Sequence, residues 1–214
     1  MSGIGPPATT SGWLWVGKGE RRRKGQMILK RVVDLSLIIA SSPLLVIVIS
    51  VVAVAVWLSS PGPLLHWSAR VGRGNSTLWM PKFRTMIVDA PQVATHLLGD
   101  PKVFLTPIGG LLRRYSLDEL PQLFSVLIGE MALVGPRPAL FNQYDLIELR
   151  TSRGIHTLVP GITGWAQING RDDLSISTKV TFDEQYLQRK SVAFDLQILL
   201  ATLGKVLKAE GVWT

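Results

Sequence analysis

The sequence predicts an α/β (α+β) fold, in which an N-terminal membrane helix sits on a compact domain of short helices with a small antiparallel sheet. Three observations predict it. Residues 35–58 form one uncharged apolar run. Segments 64–71 and 76–83 flank Gly72-Arg73-Gly74-Asn75, a turn signal between two strand-like stretches. The rest of the chain alternates short apolar-faced segments with Gly and Pro breaks, the pattern of short packed helices.

The 214 residues suffice for one ordinary domain with appendages. A mean hydropathy of +0.28 suits a soluble body carrying one strong membrane element. Cysteine is absent, which excludes disulfides, thiol nucleophiles and Cys-ligated metals. The net charge of +8 is local: residues 1–31 hold seven Lys or Arg against Glu20 alone. A basic arm just before an apolar run reads first as a patch for anionic lipid, ahead of a nucleic-acid arm.

Residues 1–26 read as a disordered basic tail, its first part rich in Gly, Ser, Thr and Pro. Trp13, Leu14 and Trp15 could touch a membrane surface. The run at 35–58 has 24 residues. At about 1.5 Å each, they are long enough for a hydrocarbon core of about 30 Å. It starts too late and is too long for a signal peptide. Ser41, Ser42 and Pro43 interrupt it, where proline kinks a helix and serine hydroxyls can satisfy freed carbonyls. Basic residues flank both ends, Lys30 and Arg31 before it and Arg70, Arg73, Lys82 and Arg84 after it. Because positive residues favour the cytoplasmic side, basic flanks at both ends are easiest to satisfy if the helix enters, bends and returns to one face, with a kinked spanning helix as the alternative.

After Pro61-Gly62-Pro63 come the two strands, 64–71 and 76–83. Helices are expected over 93–99, 108–114, 117–128, 139–152, 177–189 and 194–208, with a short buried strand at 131–134. In the last helix Phe194, Ile198, Leu199, Leu203, Val206 and Leu207 share a face, for the core or for a membrane interface. Pro160-Gly161 and Gly164 mark a loop before 165–169.

Ser116-Leu117-Asp118-Glu119-Leu120-Pro121 carries the most chemistry. Ser116 and Glu119 fit a capping box, and Asp118 suits a first helical turn. A carboxylate there would stay ionised and able to act as a nucleophile. Arg113 and Arg114 lie one turn upstream, where they could neutralise a diphosphate. Asp118 and Glu119 beside phosphate also make a plausible Mg²⁺ site. Downstream, Gly135-Pro136-Arg137-Pro138 presents one arginine rigidly, as a phosphate clamp does. Trp165-Ala166-Gln167-Ile168-Asn169-Gly170-Arg171 offers groups for a nucleobase and a phosphate, or simply a polar-edged strand and turn. Lys82-Phe83-Arg84 alternates charge about an apolar residue. Walker, dinucleotide, His-Glu-x-x-His and Gly-x-Ser-x-Gly motifs do not occur. His66, His96 and His156 are scattered and read as structural.

Lys30-Arg31-Val32-Val33-Asp34, Ser42-Pro43, Lys82-Phe83-Arg84-Thr85-Met86, the Asp118-Glu119 stretch through Gln122, Gly135-Pro136-Arg137-Pro138 and Pro160-Gly161-Ile162-Thr163-Gly164 follow in one order. In that order and spacing they resemble the bacterial sugar transferase family, the monotopic phosphoglycosyl transferases, over about residues 27–210. The resemblance implies transfer of a sugar 1-phosphate from a UDP-sugar to undecaprenyl phosphate at the cytoplasmic face of the bacterial inner membrane. It casts Asp118 as the nucleophile that attacks the β-phosphate and releases UMP, and Glu119 as its partner in Mg²⁺ binding or acid–base help. Arg113, Arg137 and Arg171 match positions near phosphate, and Asp183 matches an acidic position. Lys82, Arg84 and Gln167 complete the expected substrate-binding set.

The resemblance further implies that the Ser42-Pro43 break makes residues 27–60 a re-entrant hairpin under a cytosolic catalytic domain, 61–214, with interfacial helices. The expected partners are therefore a UDP-sugar, undecaprenyl phosphate and the lipid bilayer, not nucleic acid, with homodimerisation left open. Val159 stands where many members carry arginine, which puts one family cation in doubt. The competing reading is a non-catalytic membrane adaptor whose Ser116–Glu119 stretch is only a helix cap.

Overall fold

The computed structural model describes residues 11–88, 90, 101–170 and 174–208. Helix α1 (Ser11–Ser59) is long and continuous. It runs back over residues 11–26, which composition marks as a disordered tail. The apolar segment after them supplies the costly helix nucleus, so each further turn costs only propagation.

The interruption expected at Ser42-Pro43 leaves no gap in the helix, because its serines repair it. Pro43 has no N–H for the carbonyl of Ile39, and Ser42 Oγ donates to that oxygen at 2.8 Å. Ser41 Oγ donates to the Leu37 carbonyl at 2.7 Å.

Both halves of α1 rest on the same domain. Before Pro43, Ile38 packs in a buried cluster with Leu78, Met80, Val126 and Met131. After it, Val52 and Val56 pack with Phe83 and Leu112. Between these contacts Leu44, Val46 and Ile47 are more than 60% exposed.

Polar clamps fasten the apolar part of α1 on both sides. Lys30 Nζ reaches Asp195 at 2.7 Å and Asp34 at 3.6 Å. Tyr186 donates to the other Asp195 oxygen at 2.8 Å, and Arg31 donates to the carbonyls of Val126 and Leu127. Lys30 and Arg31 therefore grip protein, although their sequence position suggested a lipid patch. At the far end Arg84 is buried and donates to the Ser60 carbonyl at 2.5 Å and to Pro61.

The hairpin forms as expected. Strands β1 (Leu65–Val71) and β2 (Thr77–Phe83) pair antiparallel, from Leu65 opposite Phe83 to Val71 opposite Thr77. Gly74 and Asn75 turn the chain at φ 66° and 61°. A second, parallel pair joins β3 (Ala132–Val134) to β4 (Gly161–Thr163), which was expected to be loop.

Helix α2 (Gly109–Arg114) matches expectation, whereas the helix expected over 117–128 divides. Its first part is a 3-10 turn, Leu117–Glu119, and its second is α3 (Gln122–Ile128). Pro121 cannot donate back to Leu117, which ends the run there. Helix α4 (Tyr144–Ser152) starts late because Ala139 accepts from Val71 N and Leu140 bridges Arg70. The segment at 165–169 is a single helical turn, α5 (Trp165–Ile168), and not a strand. Helices α6 (Ile176–Arg189) and α7 (Val192–Lys208) close the domain. In α7 the core takes Phe194 and Ile198, while Leu203 and Leu207 remain exposed. The helix expected at 93–99 lies outside the described residues.

Candidate active site

The 3-10 turn sets Asp118 and Glu119 side by side. Ser116 enters it at φ +54° and makes no side-chain cap, so the expected capping box is not formed. In place of Ser116, the Glu119 carboxylate takes two cations. Lys82, from β2, lies 2.7 Å from Glu119 Oε1 and 4.0 Å from Asp118 Oδ2. Arg137 grips Glu119 with two prongs, Nη2 to Oε1 at 2.5 Å and Nη1 to Oε2 at 3.2 Å. Two-pronged pairing fixes direction as well as charge.

Three glycines seat Arg137. The turn at 135–138 lies backbone to backbone on β4 and the residues beside it. Gly135 N donates to Thr163 O, and Gly161 N to Pro136 O. A methyl group on Gly161 would come within 2.1 Å of Gly135 N, and one on Gly164 within 2.1 Å of Gly135 O. The two Gly/Pro motifs are thus halves of a single contact that aims the arginine.

Behind that turn stands Arg150, which sequence reading did not pick out. Its Nη1 donates to the Arg137 carbonyl at 2.8 Å, and its Nη2 and Nε to Asp183 at 2.6 and 3.0 Å. Asp183 is 1% exposed, so it serves the turn from within instead of meeting substrate as expected. Arg150 is one cation on an ordinary helix, and no sequence signal sets it apart.

The other expected residues divide. Arg113 donates to Thr85 Oγ1 at 2.9 Å, and its charge bears on Asp118. Arg84 clamps the end of α1, away from the dyad, because the carbonyls there need a donor. Gln167 is buried beside the 161–164 segment, its amide directed at the Ile162 carbonyl at 3.5 Å. Arg171 lies outside the described residues.

The two carboxylates have opposite electrostatics. Burial raises Asp118 to about 6, with Glu119 adding to the rise and Lys82, Arg113 and Arg137 opposing it. Burial also acts on Glu119, but Arg137 and Lys82 together hold it well below the usual range. The expected cause is therefore corrected: no helix cap favours the Asp118 charge, its site disfavours it so that it ionises only above about pH 6, and Glu119 is the fixed anion. A destabilised carboxylate beside anchored cations can attack phosphorus, while Glu119 holds those cations in place.

The same geometry tests Mg²⁺. Both Glu119 oxygens are engaged by cations, so binding by both carboxylates does not fit while those pairs stand. Among the described residues, no three His, Asp or Glu side chains gather to hold a metal. One carboxylate oxygen from Asp118, completed by substrate phosphates and water, does fit the ion's usual needs.

The bacterial sugar transferase family matches residues 25–209. Over 190 residues the chain is 41% identical to the uncharacterized sugar transferase EpsL of Bacillus subtilis, covering 87% of this chain and 91% of that one. It is 43% identical over 191 residues to the UDP-glucose:undecaprenyl-phosphate glucose-1-phosphate transferase of Escherichia coli, covering 83% and 40%. Identity is 40% over 200 residues to the undecaprenyl-phosphate glucose phosphotransferase of Komagataeibacter xylinus, covering 84% and 36%. The chain spans about two-fifths of the last two proteins.

Proposed function

Because the chain belongs to the bacterial sugar transferase family, we propose that it moves a sugar 1-phosphate from a UDP-sugar to undecaprenyl phosphate, the first membrane step of polysaccharide or glycoconjugate assembly. The observation that carries this reading is the buried Asp118 beside Glu119, with Lys82 and Arg137 held at the pair. The names of two relatives supply the acceptor class, and one of them the UDP-linked donor. The adaptor reading needed Ser116–Glu119 to be a plain helix cap, and Ser116 makes no such bond.

The reaction has two displacements at one phosphorus. An Asp118 oxygen attacks the β-phosphorus, the bond to the bridging oxygen breaks, and UMP leaves with that oxygen. A phosphate oxygen of the lipid then attacks the same phosphorus, and the aspartyl bond breaks. Neither step needs a net proton. Lys82 and Arg137 stabilise the charge that develops on the transferring group, from positions fixed beforehand by Glu119 and the 135–138 turn. Mg²⁺, bound through Asp118 and substrate oxygens, would supply further charge neutralisation.

The pH dependence follows from Asp118. Its protonated form has no nucleophilic oxygen, so kcat/KM falls about tenfold per unit below pH 6 and is level above it. Replacing Glu119 by Gln removes the neighbouring negative charge and frees Lys82, so the acid limb moves to lower pH. A limb that stays put in Glu119→Gln counts against this assignment.

The setting is a membrane surface. Gly25–Ser59 is long and apolar enough for a membrane. A re-entrant seat is supported by the contacts on both sides of Pro43 with one domain and by the clamps at Lys30 and at Ser60. Exposed Phe124, Leu127 and Ile128 on α3, with Leu200, Leu203 and Leu207 on α7, suit an interface beside it. This arrangement keeps a soluble donor and a headgroup-depth acceptor within reach of one carboxylate. In this cysteine-free chain, Gly25→Cys and Thr77→Cys should label from the same, cytoplasmic side of inner-membrane vesicles. Labelling from opposite sides would establish a spanning helix.

The direct test of function incubates the purified protein with a panel of UDP-sugars and undecaprenyl phosphate and measures UMP. At least one sugar should give acceptor-dependent UMP. Silence across the panel, with Mg²⁺ present, refutes the proposal.

A further inference from the structure

One histidine set aside as structural stands at the edge of the proposed site. The hairpin register places His66 directly opposite Lys82. Side chains so paired share a face, with Cβ atoms about 5 Å apart. His66 is therefore next to the cation that grips Glu119 at 2.7 Å. Alternation along β1 puts Ser68 and Arg70 on the same face. Arg70 Nε donates to Ser68 Oγ at 3.0 Å, which orients the guanidinium along the strand.

The charged groups bearing on the imidazole are Lys82 from β2, Arg70 from its own strand and Arg113 from α2, and none of the three is acidic. Packed core histidines are buried, yet His66 is exposed. An accessible imidazole among three cations, one cross-strand step from the dyad's lysine, is a donor set for an anion with several oxygens.

We propose that His66, with Lys82, Arg70 and Arg113, forms a phosphate subsite beside Asp118, and that His66 itself contacts the bound phosphate. This rests on the transferase reading above. Two phosphates visit the site in that reaction: the one that departs in UMP and the one on the lipid acceptor. The subsite serves one of them, while the transferring phosphate lies at Asp118. In the free protein, partial loss of hydration against the sheet and then Lys82, Arg70 and Arg113 hold the imidazole below its usual range. A phosphate bound there reverses that balance and draws a proton onto the ring.

The test uses the full chain in lipid nanodiscs, with UMP and undecaprenyl phosphate as probes. His66→Ala is expected to weaken UMP binding or to raise the KM for undecaprenyl phosphate by about tenfold, the cost of one hydrogen bond to a charged group. Which of the two changes identifies the phosphate served. The value of kcat should change far less, and His66→Lys should recover most of the loss by restoring a donor and a charge. UMP affinity and acceptor KM both unchanged in His66→Ala, with the parent turning over normally, would overturn the proposal. A parent that releases no UMP from any UDP-sugar overturns the transferase reading instead, and this inference falls with it.

Discussion

Asp118→Asn is expected to lower UMP release by roughly three orders of magnitude or more, the scale seen when a nucleophile is removed. The amide is nearly isosteric with the carboxylate, and Glu119 continues to hold Lys82 and Arg137. The loss should therefore fall on chemistry, with UDP-sugar binding kept.

Stability should move the other way. The folded protein holds the Asp118 proton more tightly than an unfolded chain does, since burial raises the group from 3.8 to about 6. That preference favours the fold at low pH and is lost as pH rises through 6, so ionised Asp118 costs stability at pH 7.5. The shift corresponds to an upper figure of about 3 kcal/mol, and a melting midpoint at or above the parent's is expected for the variant. A midpoint well below it would mean that Asp118 holds the fold together. Such a variant would then say nothing about chemistry.

The second large effect comes from a residue with no reactive group. Gly161→Ala should cripple both the fold and the site. Its new carbon would meet Gly135 N at 2.1 Å, and the atoms it meets belong to the backbone and cannot swing aside. Overpacking of this kind costs about 3 kcal/mol. The chain relieves it by parting β4 from the 135–138 turn, which breaks the bond from Gly161 N to Pro136 O and moves Arg137 off Glu119. Thermal melting should drop by roughly 5–10 °C, and residual activity should show a fall in kcat. Gly154→Ala is a useful companion, because nothing crowds its new carbon and only its φ of 72° is strained. Gly161 itself has no positive φ, so the loss in Gly161→Ala should exceed that in Gly154→Ala; a loss no larger than that of Gly154→Ala would show that the contact with Gly135 does not govern the result.

Much of this was legible in the sequence where a local rule had nothing to compete with. The β1–β2 hairpin follows from Gly72–Asn75, and the helices at α6 and α7 from their apolar spacing. Asp118, Glu119, Lys82 and Arg137 meet as the ordered motifs imply. The failures have specific causes. Ser116 and Glu119 match a capping box letter for letter, but two cations outbid the backbone for the glutamate. Arg84 and Asp183 are charged members of family motifs, yet their partners are a helix end and Arg150. Such assignments depend on contacts 24 and 33 residues apart in the chain, which no local pattern reveals. Lys30 shows the same effect across 165 residues: beside an apolar run it looks like a lipid contact, and its partner is Asp195 on the last helix.

The central claim is that Asp118 carries the sugar phosphate between donor and acceptor. It is tested most directly by mass spectrometry of the protein mixed with a UDP-sugar that it turns over, with the lipid acceptor withheld. The account predicts one phosphosugar adduct, on the peptide that contains Asp118, which disappears when undecaprenyl phosphate is added and never forms in Asp118→Asn. An adduct on another residue, or parental turnover in Asp118→Asn, would contradict it.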